Sequence, residues 1–341
     1  MLPSDRMADS GERMEERALV AMPIWDAHSC VPLHPDFDLR ALMRHYRNGA
    51  RFVSINVGMD MNPLDQILTV IASFRRQLAA HPELFVPVAS AADVARALCE
   101  DKLAVAFDLE GGIPLCGRPE MVFLFRDLGV RQIHLAYNRN NALGGGCYDE
   151  DVPLTPLGRR IVQAIYAAGL FMDLSHTGQR TSLDIVELGL GPVIFSHANP
   201  RALAPDRRCI TEEQIRACAA TGGVVCVTGV GRFLPDPQAR TPAILACIDH
   251  LVERVGPRHV GLSLDFEYPA EGLDDAPAGL DRRYWWPPEF GYDGTPRGLR
   301  IATPEQLPEI AEGLAARGYD DDAIAAILFG NMFALARRVW R

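Results

Sequence analysis

The sequence predicts an α/β protein: a single (β/α)8 barrel (TIM barrel) with C-terminal helices and a long loop insertion after the eighth strand. Three observations carry this. Eight short apolar runs alternate with helical patterns along the 341 residues. The runs are apolar almost throughout, as parallel strands covered on both faces must be. No GxGxxG, GxxxxGKS or GxxxxGKT follows any run, which removes the main nucleotide-binding form of an open doubly wound sheet.

The elements follow in order. PIWDAH (23–28) precedes a helical stretch near 38–47, and RFVSINVG (51–58) precedes the amphipathic LDQILTVIASFRRQLAAH. LAVAFDLE (103–110) leads into PEMVFLFRDLG, and RQIHLAYN (131–138) into a glycine-rich loop and TPLGRRIVQAIYAAG. LFMDLSH (170–176) precedes a helix near 179–188, PVIFSH (192–197) precedes TEEQIRACAATG, and GVVCVTG (223–229) precedes TPAILACIDHLVERVG. HVGLSLDF (259–266) is the eighth run, and two helices are predicted at 304–317 and 320–337. Between them, 267–300 is rich in proline, glycine and aromatics, with Tyr284, Trp285, Trp286 and Phe290 within a short span. A segment this long and aromatic is predicted to be an ordered insertion over the barrel mouth. GGGCYDED (144–151) does not sit at a strand-to-helix turn and takes no phosphate role.

Hydrophobic residues make up 48% and charged residues 23%, the composition of a soluble globular protein that can bury a large core. A net charge of −10 argues against nucleic acid or an anionic membrane as the main partner. No apolar run reaches membrane-spanning length. Residues 1–20 are charged throughout and lack the apolar centre of a signal peptide. They read as a flexible extension before a (β/α)8 domain at 21–341, and the expected location is cytoplasmic. The eight cysteines show no CxxC pair and read as reduced thiols, most of them small core residues. Cys30 is the exception, because His28 and Cys30 are two apart on one strand and share a face.

The chemistry is predicted at the strand ends, where barrel enzymes keep their reactive groups. The first run ends at His28 and Cys30, the third at Glu110, the fifth at His176, the sixth at His197 and the eighth at Asp265. Each residue alone also fits a structural role: a hydrogen-bonded histidine, a helix-capping carboxylate, a core thiol. Their shared register is the signal for a metal.

DAHSCVPL, DLEGG, LAYNRNN, DLSHTG, FSHANPRAL with DRRCIT, HVGLSLDF and LFGNMFALARRV together resemble the renal-type (membrane) dipeptidase family of zinc metallopeptidases, in the amidohydrolase superfamily. The resemblance runs from about residue 20 to the end. It implies one or two Zn2+ ions, two being usual, with Glu110 as the bridge and His176 and His197 on one ion. The family carries His-x-Asp on its first strand, where this chain has His28-Ser29-Cys30. Asp265 matches the aspartate that shuttles protons, Arg208 the arginine that grips the substrate carboxylate, and Tyr137 a position close to the scissile carbonyl. The expected activity is hydrolysis of dipeptides or other small amides carrying a free carboxylate, with Glu110, Asp265 and Tyr137 catalytic, Arg208 and Tyr137 binding substrate, and a homodimer as the family's frequent form. Two alternatives stay open on the residues. One is a one-metal site acting on a non-dipeptide amide; the other is a barrel that binds a ligand without hydrolysing it. Arg207 beside Arg208 carries the same charge, and Trp285 and Trp286 serve either as packing or as pocket walls.

Overall fold

All eight expected runs form strands, and a ninth joins them. The structure, a computed structural model, describes residues 22–273, 276–292 and 299–340. The expected extension at 1–20 lies outside them, as do parts of the insertion. The strands are β1 (Ile24–Ser29), β2 (Ala50–Met59), β3 (Phe85–Pro87), β4 (Leu103–Glu110), β5 (Val130–His134), β6 (Phe171–Asp173), β7 (Val193–Phe195), β8 (Val224–Val227) and β9 (Val260–Leu262). Every pairing is parallel, in the order β1-β2-β4-β5-β6-β7-β8-β9.

The ring closes between β1 and the segment after β9. There the Asp265 amide donates to the His28 carbonyl (3.0 Å), the Cys30 amide to Phe266 (2.8 Å) and the Tyr268 amide to Cys30 (2.9 Å). Asp26 fastens the same seam through its side chain, which accepts from the Leu264 amide at 3.0 Å. This seam brings His28, Cys30 and Asp265, from opposite ends of the sequence, side by side.

Three features depart from expectation. The first is a βα unit between the second and third runs: β3, and a helix at Ala91–Cys99 closed by a capping box from Ser90 and Asp93. β3 lies outside the ring and pairs with Leu103–Val105 of β4, while β5 pairs with Phe107–Leu109. The second is that β5 to β9 are shorter than their apolar runs. The remaining residues leave the ladder and form loops at the C-terminal face. The expected helix at 320–337 divides into Asp321–Ala325, a π-helical turn at Ala326–Gly330 and Asn331–Val339.

The outer helices bury single stripes. The helix Leu64–Ala80 turns Ile67, Val70, Ile71, Phe74 and Leu78 inward, at helical spacing. At the N-terminal end of the barrel Trp25 stacks on Phe52 with ring centroids 3.6 Å apart. Trp340 closes this plug, 4.8 Å from the Phe171 ring and 5.7 Å from Trp25. That end of a barrel carries stability rather than chemistry. Trp340→Ala is therefore expected to cost about 3–5 kcal/mol in urea unfolding, the usual loss for a buried tryptophan, with the metal content of the folded protein unchanged.

Candidate metal centre

Six side chains meet at the C-terminal face of the ring. His28 sits within β1, Cys30 one residue beyond it, and Glu110 is the last residue of β4. His176, His197 and Asp265 lie two or three residues past the ends of β6, β7 and β9, so the reactive groups of the later strands hang from loops. His176 and Asp265 hold left-handed backbone, φ +63° and +53°, as does neighbouring Asn138 at +62°. A non-glycine residue there costs roughly 1–2 kcal/mol, which the surrounding barrel offsets. Gly111, at φ +131°, follows Glu110 because any Cβ would lie 2.1 Å from the Asp60 carboxylate.

Glu110 is the centre of the cluster. Its Oε1 lies 3.0 Å from His176 Nε2, 3.2 Å from His197 Nε2 and 3.6 Å from His28 Nε2. Its Oε2 accepts from Asn56 Nδ2 at 3.0 Å. The two histidine Nε2 atoms are 3.0 Å apart. Cys30 Sγ is 3.4 Å from His28 Nε2, and Asp265 Oδ1 is 3.7 Å from it. Three overlapping ligand groups result: Glu110 with His176 and His197, His28 with Cys30 and Glu110, and His28 with His197 and Asp265, each with ligand atoms within 4.8 Å of one another.

The protonation of this cluster asks for a cation. Asn138 Oδ1 accepts from His176 Nδ1 at 2.7 Å, and Asn138 Nδ2 donates to the Trp285 carbonyl at 3.1 Å. With its hydrogen on Nδ1, neutral His176 turns a bare lone pair toward Glu110. His197 Nδ1 is likewise engaged by Ser196 Oγ at 2.6 Å. Burial holds both imidazoles well below their usual range, so they stay neutral. Burial also pushes the Glu110 carboxyl up to about 7 and raises Asp265 and the Cys30 thiol. Lone pairs aimed at a buried carboxylate at about 3 Å repel, and a proton on the carboxyl or a positive ion among them relieves this. The donors are imidazole nitrogen, carboxylate oxygen and one thiol, a set that suits zinc.

Supporting groups hold these ligands, and the sequence reading did not single them out. Asp108 Oδ1 lies 3.2 Å from His28 Nδ1, close but poorly aligned for a hydrogen bond, and Asp108 Oδ2 accepts from Ser54 at 2.6 Å. Burial works against the charged form of His28, but the Asp108 and Glu110 carboxylates lift it well above its usual range. Asp173 pairs with His134 at 2.8 Å and accepts the Ser175 and Ser196 amides, which sets the loops carrying His176 and His197. Asp60 accepts the Tyr137 amide at 3.0 Å. Alternation would have shown Asp108, two residues before Glu110 on one strand face.

The remaining expected residues also converge. Arg208 is buried and donates through Nη2 to the His197 carbonyl at 2.8 Å, whereas Arg207 is exposed and turned toward the carbonyls of Tyr148 and Asp149. Arg208 Nε has no hydrogen-bond partner, and no carboxylate among the described residues lies within ion-pair reach. The Tyr137 ring stacks on His176 at 4.4 Å, and burial keeps its phenol protonated. A cavity of about 550 Å3 opens above the cluster, bounded by Cys30, Glu110, Tyr137, His176 and Asp265 on one side and by the insertion, through Leu280 and Trp286, on the other. This volume suits a small-molecule ligand.

Residues 14–282 match the family model described as membrane dipeptidase, peptidase family M19. Similar curated proteins include an uncharacterized dipeptidase of Schizosaccharomyces pombe, 26% identical over 338 residues that cover 88% of this chain and 81% of that one. Dipeptidase 3 of Mus musculus is 25% identical over 365 residues, covering 97% of this chain and 68% of its own. An amidohydrolase of Pseudomonas aeruginosa shares the fold at a TM-score of 0.81, with 24% identity and coverage of 95% and 99% of the two chains. A metallo peptidase of Rhodobacter sphaeroides, liganded with a phosphinate mimic of the dipeptide L-Ala-D-Ala, shares it at 0.74, with 20% identity and coverage of 94% and 100%.

The supporting groups make a direct test of the centre. Asp108→Asn is expected to weaken divalent-metal affinity about 10–100-fold in competition with a chelator, the usual cost of losing a group that orients a ligand. Unchanged affinity would remove His28 from the ligand set.

Proposed function

The chain belongs to the membrane dipeptidase family, peptidase family M19, and so is a metal-dependent hydrolase of dipeptide-like substrates; on that premise we propose that its metal is zinc. Glu110 with His176 and His197 would hold one ion, and Glu110 with His28 and Cys30 a second. The observation that carries this reading is the convergence of imidazole Nε2 atoms on one buried carboxyl oxygen. Cys30 stands where the family has an aspartate, and a thiolate binds zinc at about 2.3 Å, so the site keeps its ligand count with a softer donor. It is a stronger electron donor than a carboxylate and makes its ion the weaker Lewis acid. The chemistry zinc supplies when bound is Lewis-acid polarisation and the acidification of water from a pKa of 15.7 toward about 7.

The chain's own residues do the rest. Asp265 takes the proton of the attacking water and returns it to the leaving amine. Thr228 Oγ1, 3.2 Å from Asp265 Oδ2, holds that carboxylate in place. Tyr137 donates its phenol hydrogen to the oxyanion that develops on the carbonyl. Arg208 takes the free carboxylate of the substrate. Its burial without a carboxylate partner supports this, because an uncompensated buried guanidinium invites an anion.

No described helix is long and apolar enough to cross a membrane. We place the protein in the cytoplasm, as one barrel domain from residue 21 onward, with homodimerisation as its assembly.

Chelation is expected to abolish dipeptide hydrolysis, and zinc to restore it. Elemental analysis should return two ions per chain. Cys30→Asp should keep both and raise hydrolysis, since the carboxylate donates less charge. Cys30→Ser should lose one. An unchanged zinc count in Cys30→Ser would make the site mononuclear or remove Cys30 from it. Separately, Arg208→Ala is expected to lower kcat/KM for free dipeptides by about 1.5–3 kcal/mol, the range for hydrogen bonds to charged groups. Dipeptide amides should lose less, and equal losses on both would take Arg208 out of the substrate site.

A further inference from the structure

We propose that Trp286, carried by the insertion after β9, is a positioning residue that compels Tyr137 to act as a hydrogen-bond donor into the cavity. The Trp286 indole nitrogen lies 3.2 Å from the Tyr137 phenol oxygen, and both side chains are buried. An indole N–H can only donate. The phenol oxygen must therefore accept this bond. A phenol hydrogen turned toward Trp286 would face another hydrogen, so it points away. Among the described residues it meets no other acceptor, and Tyr137 and Trp286 both line the cavity above Glu110 and His176. A buried hydroxyl with one hydrogen and nothing to give it to is prepared for an acceptor that arrives with the substrate.

The bond is one of three in a row. Residues 137, 138 and 139 meet 286, 285 and 284 in reverse order. Asn138 Nδ2 donates to the Trp285 carbonyl at 3.1 Å. Arg139 Nε donates to the Tyr284 carbonyl, and its guanidinium lies 4.7 Å from the centre of the Tyr284 ring. Asn138 also accepts from His176 Nδ1. The insertion thus clamps the first part of the loop after β5. Trp286 orients Tyr137, while Trp285 reaches His176 through Asn138. The two effects act on different groups and separate experimentally.

This inference rests on the reading of Tyr137 as the oxyanion donor, and a double-mutant cycle tests the two apart. Tyr137→Phe, Trp286→Phe and the double variant are compared with the zinc-loaded parent. The readouts are kcat, KM, zinc content and the affinity for a phosphinate dipeptide mimic, whose oxyanion resembles the tetrahedral intermediate. Tyr137→Phe is expected to lower kcat about 100-fold, as loss of one oxyanion donor does. Trp286→Phe, which keeps an aromatic ring but removes the N–H, should lower kcat about 10-fold with KM within about twofold. It should weaken mimic binding by a similar factor and leave zinc content unchanged. On the Tyr137→Phe background it should cost nothing further. An additive loss in the double variant, a loss confined to KM, or loss of zinc in Trp286→Phe would overturn the proposal while leaving Tyr137's role intact. An unaffected kcat in Tyr137→Phe alone would overturn the oxyanion reading, and the role of Trp286 with it.

Discussion

One carboxylate oxygen organises this molecule. Oε1 of Glu110 lies within 3.0–3.6 Å of three imidazole nitrogens, one from β1 and two from the loops after β6 and β7. His176, whose Nδ1 hydrogen goes to Asn138, turns a lone pair toward it, and His197 Nε2 lies beside the same oxygen, an arrangement that suits a bound cation. Much of the local design serves this point. Gly111 lets the chain turn beside Asp60, Asn56 holds the other carboxylate oxygen, and His176 and Asp265 accept left-handed backbone to reach the centre. The barrel seam does the same at longer range, since closing β1 against the segment after β9 is what sets His28 and Cys30 beside Asp265.

The fold was legible because parallel strands buried on both faces must be apolar, and eight such runs stand out. The unit holding β3 was not seen. β3 has three residues and includes Pro87, so its run is too short to register, although Ser90 and Asp93 announce the helix after it. The apolar runs extend past the strand ends at β5 to β9. Residues such as Leu174 and Leu264 are buried as deeply as any strand residue while lying in loops, so apolarity alone could not mark where the ladder stops.

The candidate ligands were legible through their register, and all six come together. The groups that hold them were harder to see. Asp60 and Asn138 acquire meaning only when distant loops are brought into contact. The pairing of 137–139 with 284–286 joins segments about 150 positions apart by bonds that are partly to backbone carbonyls, which no side-chain pattern encodes. The insertion both packs and walls a pocket: it bounds the cavity and braces the loop that carries Tyr137. Cys30 is the position on which the proposed zinc pair depends most, a thiol at the seam among nitrogen and oxygen groups.

The most direct measurement is anomalous diffraction from crystals of the zinc-loaded protein, with data collected on both sides of the zinc absorption edge. Two anomalous peaks are expected, flanking the Glu110 carboxylate, one bonded to His176 and His197 and the other to His28 and to Cys30 Sγ at about 2.3 Å. A map with no peak at Glu110, or with its zinc bound elsewhere on the chain, would contradict the account.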